Sequence, residues 1–245
     1  MVKAIVRNHT ISRVWMIVAA AILMIAAALA SRPAAAVDFA VDAHAGTMGT
    51  GIGGAFGLTD HLNLRFGLNS YDLDVDIEDE EGLDYDAGMD LDNQYVFLDI
   101  HPFEGNFRLT AGMFINNNEI SASAIVDDAF TQIGNDTALQ GTRVDTSVTF
   151  DNNSGYVGIG WGNSFNGGMF DFGVDLGIVM QGSPKIGLDV TLPPSAATSV
   201  DNCAAGDTSC IGNDDIEQER LDAENEAKDF DSYPLINFSF SIRFL

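Results

Sequence analysis

The segment from Ile236 to Phe244 places Ile236, Phe238, Phe240, Ile242 and Phe244 on one face and Asn237, Ser239, Ser241 and Arg243 on the other. A period of two is that of a β-strand. A strand whose one face is wholly isoleucine and phenylalanine, and whose other face carries amides, hydroxyls and a guanidinium, suits an apolar solvent on one side and a polar, filled interior on the other. In an apolar solvent every backbone N–H and C=O must be paired, so such a strand belongs to a closed sheet.

The N-terminal region fits a chain that leaves the cytoplasm. Lys3, Arg7 and Arg13 precede an unbroken apolar run from Val14 to Ala30, followed by Pro33 and by Ala34, Ala35 and Ala36. This is the pattern of a secretory signal peptide over residues 1–36, with cleavage after Ala36 or, alternatively, after Ala30. Residues 37–245 contain no second apolar run long enough to span a bilayer as a helix, so any crossing there must be made by strands.

The whole chain has 11 Lys plus Arg against 36 Asp plus Glu. Four of the bases and none of the acids lie in residues 1–36, leaving 7 bases against 36 acids and a net charge of −29 on the remainder. So acidic a chain argues against nucleic acid as a partner. The two cysteines, Cys203 and Cys210, share one polar loop of a secreted chain, and a local disulfide is expected there. Neither has a histidine nearby to suggest a metal site.

Three short polar connections, at residues 58–63, 101–106 and 162–168, each join two alternating segments. The first has Met48, Ile52, Phe56 and Leu58 before it and Leu62, Leu64, Phe66 and Leu68 after it. The second joins Val96, Leu98 and Ile100 to Phe107, Leu109, Ala111, Met113 and Ile115; the third joins Val157, Ile159 and Trp161 to the Phe170–Met180 run. These are hairpins with one apolar face. Farther from the turns the phase inverts: Tyr71, Leu73, Val75 and Ile77 follow Leu68, and Ile120, Ala122 and Val126 follow Ile115. Either bulges or one common level at which the strands leave the bilayer would do this, and the acidity of the distal segments favours the common level. The short turns then face the periplasm, and residues 69–95, 116–155 and 181–234 form extended acidic extracellular loops. Phe56, Phe66, Phe107, Trp161, Phe170 and Phe244 form an aromatic girdle near the short turns. The fold expected is an all-β transmembrane antiparallel barrel over residues 37–245, most simply of eight strands. Phe39 to Ala45 supplies the eighth; a closing partner within residues 184–192 is the alternative. Residues 193–233 form a long polar loop with a helical stretch between Asp214 and Asp231, either solvated or entering the barrel.

The inward parity carries Arg65, Arg108 and Arg243 together with Asp99, Asp171 and Asp175, three bases facing three acids. A barrel this narrow is filled by side chains, so an ionic network is expected, as a structural plug before an ion path. Inward Gly49, Gly51, Gly53, Gly158, Gly160 and Gly173 complement bulky Tyr95, Phe97, Phe114 and Tyr156. The hairpin from Asp72 to Asp92 holds eleven acids and no base. Its Asp72, Asp74 and Asp76, with Asp84 and Asp86 from the returning strand, are a candidate surface site for Ca²⁺ or Mg²⁺; the default is a solvated acidic face, and no cofactor is otherwise implied. It is not an EF-hand, since Ile77 and Leu83 stand where that loop needs Gly and Glu. His44, His61 and His101 show no serine in a nucleophile pattern, so no enzyme is expected.

Several segments together resemble a family of proteobacterial outer-membrane β-barrel proteins, OmpA-like in the barrel alone. They are Leu58 to Arg65, Asp99-Ile100-His101-Pro102-Phe103, Phe107 to Gly112, Gly158 to Asn163, Gln181-Gly182-Ser183-Pro184 and the aromatic strand that precedes Leu245. The resemblance implies a Gram-negative outer-membrane location, contact with lipid and lipopolysaccharide, delivery by the barrel-assembly machinery and no catalytic residues. The function expected is structural or interactive at the cell surface, with a narrow channel or ligand-binding barrel next and a lipid A-modifying enzyme third.

Overall fold

The computed structural model describes residues 38–78, 84–126, 132–133, 136–137, 140–194 and 212–244, with the backbone alone at 76–78, 84–85, 132–133 and 136–137. Residues 1–36, expected to be a signal peptide, and Cys203 and Cys210, expected to form a disulfide, lie outside the described residues. In chain order the elements are β1 (Asp38–Gly46), β2 (Gly49–Thr59), β3 (Leu62–Glu78), β4 (Asp84–Ile100), β5 (Phe107–Asn116), β6 (Glu119–Ile125), β7 (Gln132–Ile133), β8 (Asp136–Thr137), β9 (Arg143–Thr149), β10 (Asn153–Trp161), β11 (Phe170–Met180), β12 (Lys185–Thr191), α1 (Asn213–Ala227) and β13 (Ser232–Phe244). Among the described residues no helix is long and apolar enough to cross a membrane, a statement that does not bear on strands.

Eight strands close a ring in the order β1-β2-β3-β4-β5-β10-β11-β13, every pair antiparallel. The ring shuts where β1 meets β13, with Phe39 opposite Phe244 and Gly46 opposite Asn237. Phe39 to Ala45 is therefore the eighth strand, while residues 184–192 contribute β12 to a different place. Closure leaves no edge in the ring, and each backbone group there has a partner on the neighbouring strand.

A second sheet grows from the ring. β3 and β4 pair without interruption from Leu62 opposite Ile100 to Glu78 opposite Asp84. Beyond Asn93 opposite Asn116, β4 leaves β5 and takes β6 as its neighbour, and β9 and β12 follow in turn. The result is a five-stranded extension, β3-β4-β6-β9-β12, at the end of the ring remote from the short turns.

The phase inversion is explained by this geometry. On β3 the even positions Leu62, Leu64, Phe66 and Leu68 face away from the ring, and the same face continues as Ser70, Asp72 and Asp74 with no shift of register. No bulge turns the strand over; the composition changes because the surroundings change. Elsewhere the inversion falls where a strand is interrupted, at Asn117–Asn118 between β5 and β6 and at residues 150–152 between β9, with Val144 and Val148, and β10, with Val157, Ile159 and Trp161.

Two residues assigned to the lipid face are buried instead. Met48 sits in the β1–β2 turn, folded over the interior, and Leu58 lies at the register shift between Gly57 and Thr59, which rotates it out of the alternation. The helix expected between Asp214 and Asp231 is α1, and it lies on the extension rather than in the ring. Its Ile216 packs with Val126, Val144, Leu188, Val190 and Leu192. Asp215 accepts from the Gly212 N–H, and Arg220 pairs with Glu217 and Glu224 on adjacent turns. Glu224 also accepts the Ile186 N–H at 3.1 Å, covering part of the free edge of β12.

Candidate functional site

The ring interior is built in four layers, starting from the short-turn end. In the first, Asn63 donates through Nδ2 to His101 Nε2 at 3.0 Å and to Asn163 Oδ1 at 3.1 Å, while His101 Nδ1 donates to the Gly105 carbonyl at 3.0 Å. This fixes the neutral imidazole with its proton on Nδ1. Burial holds His101 below the usual imidazole value.

The second layer holds the charges. Arg65, projecting from β3, donates from Nε and Nη2 to Asp99 at 2.5 and 3.1 Å, and from Nη1 and Nη2 to Asp175 at 3.1 and 3.0 Å. Its fork thus spans two carboxylates on β4 and β11. Arg108 donates from Nε and Nη2 to Asp175 Oδ1 at 3.3 and 2.9 Å and from Nη1 to the Gly162 carbonyl, with Asp99 3.9 Å away. Thr110 adds its hydroxyl to Asp99 at 2.7 Å. Two guanidiniums thus balance two carboxylates, and every charge is hydrogen-bonded, the condition under which buried ions are tolerated.

Asp171 and Arg243, expected in the same network, stand apart from it. Asp171 takes the backbone amides of Asn163 and Phe172, and Arg243 donates to the carbonyls of Phe165 at 3.1 Å and Gly167 at 3.0 Å. Both hold the third short turn to the ring.

The third layer closes the lumen with rings. Phe97 stacks on Tyr156 with centroids 4.6 Å apart and meets Phe114 edge-on at 5.2 Å; Tyr95 lies 4.5 Å from Phe97, and the Arg65 guanidinium sits 5.5 Å from the centre of the Phe97 ring. Small residues on the facing strands make room for them. A Cβ at Gly67 would come within 2.6 Å of Tyr95, and one at Gly177 within 2.5 Å of Tyr156. These four rings are buried to 3 % exposure or less. Side chains therefore fill this level.

The fourth layer was not foreseen. His44 stands between Asp42 Oδ1 at 2.6 Å and Asn69 Oδ1 at 2.5 Å. Asn69 then donates to Asn93 at 2.6 Å, and Asn93 donates to the Met48 carbonyl at 3.2 Å and to Asn118 at 3.3 Å. Asn118 also accepts the Asp92 N–H at 3.0 Å. The path runs from β1 across β3 and β4 to the point where β4 changes partner. Its members are amides scattered widely along the chain, and only their shared inward parity hinted at a common layer.

Outside the ring, the five acids considered for a cation share the outer face of the β3–β4 hairpin: Asp76 lies opposite Asp86 and Asp72 opposite Asp90. The side chains of Asp76 and Asp84 are outside the described set. Among the described residues no three His, Cys, Asp or Glu side chains converge to hold a metal ion.

The solved structures most like this one include CarO2 of Acinetobacter baumannii, with 16% identity and a TM-score of 0.56 over 85% of this chain and 99% of that one. CarO of the same organism gives 17% identity and 0.55 over 84% and 97%. The fold is that of an eight-stranded outer-membrane β-barrel. A major outer membrane protein of Thermus thermophilus aligns over 86% of this chain and 100% of its own, at 12% identity and a TM-score of 0.39. No protein-family model and no curated protein sequence matches the chain.

Proposed function

We propose that this chain is a Gram-negative outer-membrane protein, freed of residues 1–36 on export, that serves a structural or interactive role at the cell surface. The observation that carries this reading is the contrast between a lumen filled by charge pairs and aromatic rings and an ordered extension standing beyond it. The short turns belong in the periplasm and the extension outside, as is usual for such barrels. Outer-membrane lipid and lipopolysaccharide are its surroundings, and the partner is met by the extension.

Three measurements on cells and membranes test this. The chain should fractionate with the outer membrane and show a heat-dependent gel shift. An epitope inserted between β12 and α1 should be labelled on intact cells, and removing β6 to β9 should abolish surface capture of the partner while the ring still forms. Steady conductance in planar bilayers would favour a channel and overturn the reading.

A further inference from the structure

Across four strands of the extension the register lines up Gly88, Ser121, Ser147 and Gly187 in one row. The row two residues farther from the ring carries Asp86, Asp145 and Asp189, and the row two residues nearer carries Asp90 and Glu119. Residues two apart on a strand share a face, so small side chains form a floor between two acidic walls. Asp74, opposite Gly88 on β3, closes one end. Lys185 ends the nearer wall but is held by Asp151 at 2.8 Å. The trough is a cleft of about 710 Å³. Its floor crosses three strand spacings, roughly 14 Å, and its walls stand four residues apart, also roughly 14 Å. α1 packs on the opposite, apolar face through Ile216, and among the described residues no element covers this one.

We propose that this trough docks an extended, lysine- or arginine-rich segment of a partner protein. The inference rests on the surface-interaction reading and gives that partner its chemistry. Charge is the first reason: the cleft is lined by five acids and one base, Arg143, which is already bound by Asp145 through Nε at 2.9 and 3.0 Å. The acids crowd one another, and the Asp90 carboxyl is held above its usual value by desolvation and by neighbouring Asp72. A compact ion is poorly served, since the carboxylates run in rows and no three converge among the described residues. An extended peptide, in contrast, sends successive side chains to opposite sides, so its basic residues reach both walls. The hydroxyls of Ser121 and Ser147 face its main chain. Electrostatic matching of this kind sets specificity and association rate.

The test uses the full chain, folded in detergent micelles, and a fluorescent peptide of alternating lysine and serine whose binding is followed by anisotropy. Asp86→Asn, Glu119→Gln and Asp189→Asn together should weaken binding by about tenfold. Ser147→Phe, which fills the floor without changing charge, should do the same, and Arg143→Ala should tighten binding. Asp222→Asn, Glu226→Gln and Asp229→Asn, the same charge removed on and beside α1, should leave it unchanged. The heat-dependent gel shift establishes that each variant is folded. Equal losses in the two triple variants, an inert Ser147→Phe, or no binding by the unaltered chain would overturn the trough. If the cell-surface capture of the preceding section still held, only the basic segment would be lost and the broader reading would stand.

Discussion

The two halves of β3 and β4 share one register and obey opposite rules. Below Ser70 and Asp92, the outer face is Leu62, Leu64, Phe66, Leu68, Val96 and Leu98, and the inner face holds Arg65 and Asp99. Above them the outer face carries Asp72, Asp74, Asp86 and Asp90, and the other face is Tyr71, Leu73, Val75 and Met89. A few residues along an unbroken ladder, the apolar side has changed places. Strand geometry does not choose which face is apolar; the medium on each side does. The lower half has lipid outside and a narrow polar lumen within; the upper half turns its acids to water on the outer face, and its other face continues across the extension to β9 and β12, where α1 packs through Ile216.

The comparison is broken most severely by disturbing the lower interior. Arg108→Met leaves Asp175 short of a donor in a buried layer and should cost roughly 3 to 5 kcal/mol in a denaturant unfolding measurement. The same change at Arg143, whose pair with Asp145 is half exposed and screened by water, should leave the unfolding midpoint nearly where it was. Comparable losses at both sites would mean that the two halves do not differ in dielectric surroundings as described. A smaller effect sharpens the level at which the rule changes. Val96→Lys places a charge on the lipid face and should cost about 2 to 4 kcal/mol if it lies near the bilayer midplane. Asp86→Lys, on the same face of the same strand, should shift stability by only about 0.5 kcal/mol. A scan of lysine along Leu98, Val96, Gln94 and Asp92 should show the cost falling away near Gln94, opposite Leu68.

Much of the ring was legible because lipid imposes a strict period of two, and the hairpins, the closing strand and the inward glycines all follow from it. Parity gives the face of a residue but not its depth. Asp171 and Arg243 lie on the inward face of their strands as Asp175 and Arg108 do, yet the register places them beside the third short turn, where carbonyls and amides take the role that carboxylates and guanidiniums play farther in. The branch could not be read either. The order β4-β6-β9-β12 joins segments that lie far apart in the chain, and nothing local specifies those neighbours. The His44–Asn69–Asn93–Asn118 path stayed hidden for a related reason, since amides carry neither the charge nor the hydropathy that makes a pattern.

The smallest expected effect lies at the short-turn end, where the lower half meets water. His101 is neutral in the fold: Nδ1 donates to the Gly105 carbonyl, and Nε2 accepts from Asn63, which would be confronted by a second N–H if the ring were protonated. Burial therefore lowers its proton affinity in the folded state. The unfolded chain, with an ordinary imidazole value of about 6.5, takes up the proton first as the pH falls. The unfolded state then binds more protons, and stability is lost on going from about pH 7 to about pH 5. His61, near Glu104 at 3.2 Å and exposed, does not share this environment. His101→Gln should flatten the acid side of the stability profile relative to the unaltered chain while leaving its value above about pH 7.5 nearly unchanged. If both proteins lost stability equally on acidification, the proton would be entering elsewhere, and the short-turn layer would not be the acid-sensitive end of the ring.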